Sequence, residues 1–171
     1  PTAHDLLKQY FGYDSFRPGQ DRLVQSILSC RDTLGIMPTG AGKSICYQVP
    51  ALLLPGLTLV ISPLISLMKD QVGALNEAGV PAACVNSAMS AESMRDVLGY
   101  AAQGGYKLLY VAPERLTAPS FLSFAQRVPV SMVTVDEAHC ISQWGQDFRP
   151  SYLKIQDFLA ALPARRLVSA F

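Results

Sequence analysis

Charged residues and cysteines are both scarce in this chain, and each shortage narrows the class of protein. Only 16% of the 171 residues are charged and the net charge is +1. That composition excludes an overall basic surface, so any contact with nucleic acid must come from a local patch. The four cysteines, Cys30, Cys46, Cys84 and Cys140, show no paired metal-ligand spacing. We therefore expect a reduced, cytosolic protein, without a zinc site in this segment.

Long uninterrupted apolar segments are missing as well. The longest apolar stretch, Val49 to Ile61, is broken by Pro50, Pro55 and Gly56, so it does not have the pattern of a membrane-spanning helix. Half of all residues are nevertheless apolar, and a chain of this length can bury a sizeable core as one domain. This composition favours a parallel sheet that is covered by helices on both faces.

Helix-like and strand-like segments alternate along the whole chain. We predict helices at Ala3–Phe11, Pro18–Cys30, Ser44–Leu53, Leu64–Ala78, Ala91–Gln103, Pro119–Arg127 and Ser151–Leu162. We predict strands at Thr33–Ile36, Leu57–Ile61, Ala82–Val85, Lys107–Val111, Val130–Val135 and Leu167–Ala170. Such alternation indicates an α/β fold with right-handed crossovers and a mostly parallel sheet. In such a fold ligands bind at the carboxyl ends of the strands.

A nine-residue segment that ends at Ser44 has the pattern of a phosphate-binding loop. It runs Ile-Met-Pro-Thr-Gly-Ala-Gly-Lys-Ser between a predicted strand and a predicted helix, which is the context such a loop requires. Gly40 and Gly42 would let backbone amides converge on an anion at the helix N-terminus. Lys43 would reach the β- and γ-phosphates of a nucleotide, and the Ser44 hydroxyl would bind Mg²⁺. Met37 stands where this loop usually has a glycine, so an ordinary glycine-rich turn is the alternative.

A pair of carboxylates follows the apolar segment Val130–Val135. Asp136 and Glu137 would then stand at the carboxyl end of a buried strand, where acids suit a site for metal and water. Asp136 would hold Mg²⁺ directly or through water, and Glu137 would orient and deprotonate the attacking water. Alone, the pair could be the solvated start of a helix. The loop and the pair together, in this order, favour the catalytic interpretation.

Five blocks of sequence occur in order along essentially the whole chain. They are Phe11-Gly12-Tyr13 with Phe16-Arg17-Pro18-Gly19-Gln20, Met37 to Ser44, Ser62 to Gln71, Tyr110 to Leu116, and Asp136 to Gly145 continued by Asp147-Phe148-Arg149-Pro150. Together they resemble the RecQ family of superfamily 2 DNA helicases. Members of that family normally have Met at the opening position of the phosphate-binding loop, which accounts for Met37.

The resemblance implies a three-layer α/β domain of the RecA-like P-loop NTPase type, with residues 1–171 forming the first motor lobe. ATP and Mg²⁺ would be its cofactors. Single-stranded and duplex DNA would be its partners, together with a second helicase lobe in a longer chain. Because the chain stops at Phe171 directly after a predicted strand, we expect it to continue beyond that residue.

The resemblance also implies roles for residues that no spacing would have singled out. Gln20 would recognise the adenine edge through its amide, and Tyr13 and Arg17 would pack near the adenine. The implied nucleotide-binding set is Tyr13, Arg17, Gln20, Thr39, Gly40, Ala41, Gly42, Lys43, Ser44 and Asp136. Composition alone leaves Gln20 open as a solvated residue in the first turn of a helix. It likewise leaves Tyr13 open as a partly buried loop aromatic.

Contacts with DNA are implied at two places. Ser62, Lys69 and Arg115 would touch the phosphate backbone, which positions a strand without reading its sequence. The alternative for Lys69 and Arg115 is an exposed helix charge.

The second place is the loop after Asp136. Trp144, the only tryptophan, would lie there with Phe148 and Arg149, suited to base stacking on single-stranded DNA. A core tryptophan that covers the sheet is the alternative. In RecQ helicases this loop couples DNA binding to ATP hydrolysis, but Gln146 stands where a histidine is usual and Ser151 where an acid is usual.

The resemblance thus favours an ATP-driven DNA helicase that unwinds duplexes in the 3′–5′ direction during repair and recombination. An RNA helicase lobe and a nucleotide- or DNA-binding module without turnover are the alternatives. We expect the 171 residues alone to bind ATP weakly and not to unwind DNA, because ATP in such motors lies between two lobes.

Overall fold

The computed structural model describes residues 1–37, 42–136, 149–164 and 166–171, with the backbone alone for residues 149–152. These parts contain the helices α1 (Ala3–Phe11), α2 (Gln20–Leu28), α3 (Ile45–Leu53), α4 (Ile65–Glu77), α5 (Ala91–Ala102), α6 (Pro119–Arg127) and α7 (Arg149–Ala161), with a short 3₁₀ turn at Pro113–Arg115. They also contain the strands β1 (Thr33–Leu34), β2 (Leu57–Ile61), β3 (Ala82–Val85), β4 (Leu108–Val111), β5 (Val130–Val135) and β6 (Leu167–Ala170).

All six strands form one sheet in the order β1-β6-β5-β2-β4-β3, and every neighbouring pair is parallel. β2 lies in the middle, where Leu59 pairs with Leu109 of β4 on one side and Val133 of β5 on the other. The predicted α/β fold with a mostly parallel sheet is therefore confirmed. The carboxyl ends of β2, β4 and β5 meet at one edge, which the backbone bond from Asp136 N to Ile61 O (2.9 Å) continues.

Helices bury both faces of this sheet. Alternate residues of one strand point to opposite faces, and along β2 Leu59 and Ile61 join a cluster with Phe121 and Phe124 of α6. Val60, between them, joins a second cluster on the other face, which includes residues of α3 and α4 such as Tyr47 and Met68. The result is three layers, as the family resemblance implied. Within the described residues, no helix is long and apolar enough to cross a bilayer.

All predicted boundaries lie within two residues of the structure, and three of the two-residue differences have identifiable reasons. β1 ends at Leu34 rather than Ile36, because Leu34 already pairs with Ala170, the last residue of β6, and Ile36 is 90% exposed. α2 begins at Gln20 rather than Pro18, because Gly19 (φ 90°) takes a left-handed conformation that ends the preceding turn. α7 begins at Arg149 rather than Ser151, since proline is tolerated in the first turn of a helix.

Candidate active site

The phosphate-loop lysine and the first residue of the carboxylate pair meet at the carboxyl edge of the sheet. Lys43 lies in the turn that leads into α3, and its Nζ atom is 3.8 Å from Oδ1 of Asp136. Asp136 follows β5 directly and is only 1% exposed, whereas the side chain of Lys43 is 25% exposed. The sheet thus brings a buried carboxylate and a partly accessible cation to the place where parallel α/β folds bind ligands.

Gln20 closes the back of the phosphate loop. Its Nε2 atom donates to the Gly42 carbonyl (2.9 Å), and its Oε1 atom accepts from the Arg17 backbone N–H (2.7 Å). Gly42 has φ 74°, and a Cβ atom there would lie 2.7 Å from Gln20 Nε2, so a side chain at this position would meet both backbone strain and a clash. Gln20 is 4% exposed, so the alternative of a solvated first-turn residue is wrong.

A cleft of about 360 Å³ opens beside this loop, a volume at the lower end of those that bind small molecules. Tyr13, half exposed at 50%, lines it together with Gly42 and Ser44. The walls come from the end of α1, the start of α3 and the inner side of α4. Two predicted nucleotide-binding segments, around Tyr13 and around Ser44, therefore share one cavity.

Behind the cleft lies a cluster of buried polar side chains that the sequence-based prediction missed. The Tyr47 hydroxyl is 3.1 Å from Asp136 Oδ2, 2.9 Å from Gln71 Oε1 and 3.1 Å from the Tyr110 hydroxyl, to which Gln48 Nε2 also donates (2.9 Å). Both tyrosines are fully buried. A Tyr-Gln pair inside an otherwise apolar helix was the signal available in the sequence, because such groups need hydrogen-bond partners when buried.

The two phenols stay protonated at neutral pH. Burial is the main cause that raises the pKa of Tyr47 well above its usual value, and the neighbouring Tyr110 and Asp136 raise it further. Burial likewise raises the pKa of Tyr110 to about 12. Each hydroxyl therefore keeps its one hydrogen. Tyr110 can donate its hydrogen to the Tyr47 oxygen, and Tyr47 can donate its own to Asp136 Oδ2.

The predicted DNA contacts have different surroundings. Lys69 is exposed on α4. Ser62 is 1% exposed, so contact with DNA would require this end of β2 to open. The guanidinium group of Arg115 donates to the carbonyls of Asn86 (3.1 Å) and Met89 (3.4 Å), and so it holds the loop between β3 and α5. Several predicted residues lie outside the described part of the chain: Thr39, Gly40, Ala41, Glu137, Trp144 and Phe148, while Arg149 is described by its backbone only.

The residues present fit a nucleotide with Mg²⁺. The Ser44 hydroxyl makes no hydrogen bond that caps α3, and the Asp136 carboxylate supplies the hard oxygen that Mg²⁺ prefers. Among the described residues no group of three His, Cys, Asp or Glu side chains could enclose a metal. Proteins commonly bind Mg²⁺ through one or two carboxylates together with the substrate's phosphates.

Comparison with known proteins shows the family to which this chain is similar. The model of the DEAD/DEAH box helicase family matches residues 17–171. The ATP-dependent DNA helicase RecQ of Bacillus subtilis (strain 168) is 52% identical over 98% of this chain and 29% of its own length. The protein of the same name from Haemophilus influenzae is 49% identical over 95% of this chain and 26% of its own length. The chain thus spans less than a third of these two relatives.

A solved structure shows the same fold. The crystal structure of a hypothetical ATP-dependent RNA helicase from Sulfolobus tokodaii superposes with a TM-score of 0.78 over 99% of this chain and 49% of that chain, at 19% identity. Identity this low shows the fold alone. The resemblance to RecQ helicases that the sequence blocks predicted is confirmed by the relatives. The chain belongs to the DEAD/DEAH box helicase family, with RecQ DNA helicases among its relatives.

Proposed function

We propose that this chain is the ATP-binding lobe of an ATP-dependent DNA helicase of the RecQ type, which unwinds duplex DNA in the 3′–5′ direction. The observation that carries the proposal is the approach of Lys43 to the buried Asp136 beside the phosphate loop. The names of the relatives, ATP-dependent DNA helicase RecQ, support the choice of DNA as the substrate. Repair and recombination in the bacterial cytosol are the setting proposed for the whole protein.

Different residues around the loop would bind the phosphates, bind Mg²⁺ and activate the attacking water. Backbone amides near Gly42 and the Lys43 ammonium group would hold the terminal phosphates. Ser44 and Asp136 would hold Mg²⁺, which neutralises the charge that develops on the phosphates. Glu137, the residue after Asp136 in the chain, would orient the attacking water and accept its proton.

Adenine would enter the cleft beside Tyr13. Gln20 is tied through Gly42 to the phosphate loop and through Arg17 to the segment before α2. A base that contacts Gln20 would therefore touch the side chain that also supports the phosphate loop. We propose that Gln20 and Arg17 contact the adenine, since a side-chain amide can make more than the two hydrogen bonds described for Gln20. Tyr13, half exposed on the cleft, offers an aromatic face for stacking.

DNA would bind on the surface that includes Lys69 and on the loop that carries Trp144 and Phe148. Phosphate contacts would hold the strand, and the aromatic residues would stack on its bases. Since Trp144 follows Glu137 within the same segment of sequence, stacking there would reach the residue proposed to activate water. Movement along the strand would need a second lobe, which we propose for the longer protein.

The test is phosphate release by the full-length protein with single-stranded DNA, with single-stranded RNA of the same sequence, and with neither. We expect DNA to stimulate release strongly and RNA to do so weakly; stimulation by RNA alone would favour an RNA helicase. Glu137→Gln should still bind ATP without hydrolysing it. Trp144→Ala should lose much of the stimulation by DNA and keep its affinity for ATP. Release that no nucleic acid stimulates would contradict the proposal and favour a binding module.

A further inference from the structure

The two oxygens of the Asp136 carboxylate face different surroundings. Oδ1 lies toward Lys43 (3.8 Å), which is the side open to the phosphate loop. Oδ2 lies 3.1 Å from the hydroxyl of Tyr47, in a pocket closed to solvent. A charged acceptor is favoured over a neutral one, although this contact, at 3.1 Å, is longer than the 2.9 Å contact of the same hydroxyl with Gln71 Oε1. When Tyr47 donates to Oδ2, the other oxygen of Asp136 is turned toward the ligand.

Tyr47 has one hydroxyl hydrogen, and three oxygens lie within reach of it. Besides the Tyr110 hydroxyl, which can equally donate to Tyr47, the acceptors are Oδ2 of Asp136 and Oε1 of Gln71, at 2.9 Å. When Tyr47 donates to Asp136, its oxygen faces the Gln71 carbonyl without a hydrogen between them. That contact is relieved if the Gln71 amide turns its NH₂ group toward Tyr47. The pair thus has two hydrogen-bonding arrangements, one for each acceptor.

Gln71 belongs to the helix that carries a proposed DNA contact. α4 runs from Ile65 to Glu77, and Lys69 stands on its exposed side, two positions before Gln71. Both residues belong to one helix, so a change at Gln71 that shifted the backbone of α4 would shift Lys69 as well.

We propose that Tyr47 is a positioning residue that orients Asp136 and connects the nucleotide site to α4 through Gln71. This role rests on the proposed function, since it assigns a purpose to the geometry of Asp136. Thermodynamic linkage makes the connection reciprocal: nucleotide bound at Asp136 changes the affinity for DNA, and DNA changes the affinity for nucleotide by the same factor.

The first test measures binding of a fluorescent ADP analogue to full-length protein, with Mg²⁺ and with EDTA. Tyr47→Phe keeps the ring and removes only the hydroxyl. We expect the gain in affinity that Mg²⁺ provides to fall by about tenfold or more, as for a lost hydrogen bond to a charged group, while affinity in EDTA stays as in wild type. Tyr106→Phe is the matched control, because Tyr106 packs on Tyr100 at the opposite edge of the sheet. Equal Mg²⁺ gains for Tyr47→Phe and Tyr106→Phe would overturn the positioning role.

The second test uses Gln71→Met, which removes the competing acceptor and leaves Tyr47 to Asp136. Affinity for single-stranded DNA is measured with and without the Mg²⁺ complex of a non-hydrolysable ATP analogue. In wild type we expect a change of at least fivefold, a usual size for coupling between sites. In Gln71→Met that change should shrink to within about twofold, with the Mg²⁺ gain for ADP retained. A wild-type-sized change in Gln71→Met would overturn the connection, even if Tyr47→Phe did not fold.

The outcomes separate this inference from the proposed function. A wild-type protein that gains no ADP affinity from Mg²⁺, or that binds no DNA, contradicts the proposed function itself. If the wild type gains ADP affinity from Mg²⁺ and binds DNA, and Tyr47→Phe and Gln71→Met give the same values as the wild type, only the roles of Tyr47 and Gln71 are contradicted.

Discussion

Lys43 Nζ lies 3.8 Å from Oδ1 of Asp136, although four strands of the sheet and the helices between them separate the two residues along the chain. The parallel sheet creates this proximity, since the carboxyl end of β5 lies beside the turn that leads into α3. The pair leaves Asp136 buried and Lys43 partly accessible, so that Lys43 can turn toward a phosphate while Asp136 keeps its bond to Tyr47.

Replacing the lysine tests this arrangement. We expect Lys43→Ala to lower ATP hydrolysis by about 10²–10³-fold, the usual cost of removing one group that stabilises charge in a transition state. The fold should persist, because Asp136 still accepts from Tyr47. Steady-state phosphate release and a thermal melt check both statements. Lys8→Ala is the control, since Lys8 lies on α1 and pairs with Asp14 on the surface. Turnover at the wild-type rate in a folded Lys43→Ala protein would refute the phosphate contact.

Gln20 should matter for nucleotide affinity, although it lies behind the loop. In Gln20→Ala the Gly42 carbonyl loses its donor and the Arg17 N–H loses its acceptor. Each such bond contributes about 0.5–1.5 kcal/mol, so we expect ATP affinity to fall by about tenfold and the melting temperature to fall by a few degrees. Gln25→Ala, on the exposed side of the same helix, should change neither. An unaltered affinity in Gln20→Ala would show that the loop does not depend on this support.

Local sequence pattern was enough to predict the strands that form the centre of the sheet. Val130–Val135 and Leu57–Ile61 are mostly apolar segments that follow Pro129 and Gly56, and the structure has strands at those residues. The end of β1 was not predictable in this way. Ile36 has a strand-forming side chain, but strand pairing stops earlier because Leu34 pairs with Ala170, the last residue of β6, and which strand lies beside which is a property of the whole fold.

The candidate site was likewise predictable from the sequence only in part. The meeting of Lys43 and Asp136 followed from two motifs, each after a strand of one parallel sheet. The partners of Tyr47 did not follow, because the contact with Tyr110 depends on how α3 packs over β4. The role of Arg115 also depends on tertiary structure, since the two carbonyls that it binds belong to a loop that precedes it by an entire helix.

Lys69 is expected to act on DNA through its charge alone. Lys69→Ala should weaken binding of single-stranded DNA equally for different sequences. It should also reduce the slope of log affinity against log salt concentration by about the amount that one phosphate contact contributes. Affinity measured by fluorescence anisotropy at four salt concentrations gives this slope. Lys8→Ala removes the same charge from α1 and should leave the slope unchanged. A sequence-dependent loss would indicate a contact with bases instead.

The cysteines should differ widely in reactivity. Cys46 lies on α3, and its side chain is fully buried. Burial raises its pKa to about 11, so at pH 8 only about one thiol in a thousand would be the reactive thiolate. Cys30 is exposed. We expect an alkylating reagent to modify Cys30 within minutes and Cys46 only when the protein is unfolded. Peptide mapping by mass spectrometry after timed alkylation measures both rates. Rapid alkylation of Cys46 in the folded protein would contradict its burial.

Arg115 distinguishes a loop-holding role from a simple phosphate contact. Its Nε and Nη2 atoms donate to Asn86 O and Met89 O, and Asn86 is 1% exposed. Both Arg115→Ala and Arg115→Lys should therefore lower the melting temperature by several degrees, because lysine keeps the charge but lacks the planar fork that reaches two carbonyls.

The matched control for Arg115 is Arg127→Ala. Arg127 is exposed, and within the described residues its side chain bonds only to its own helix, from Nε to Ser123 O, so its loss should shift the melting temperature little. Differential scanning calorimetry on this 171-residue chain measures all three variants. If Arg115→Lys has the melting temperature of the wild type and also retains DNA affinity, the charge alone matters and Arg115 is a phosphate contact. If Arg115→Lys has the lower melting temperature of Arg115→Ala, the two hydrogen bonds to carbonyls are the reason that an arginine stands there.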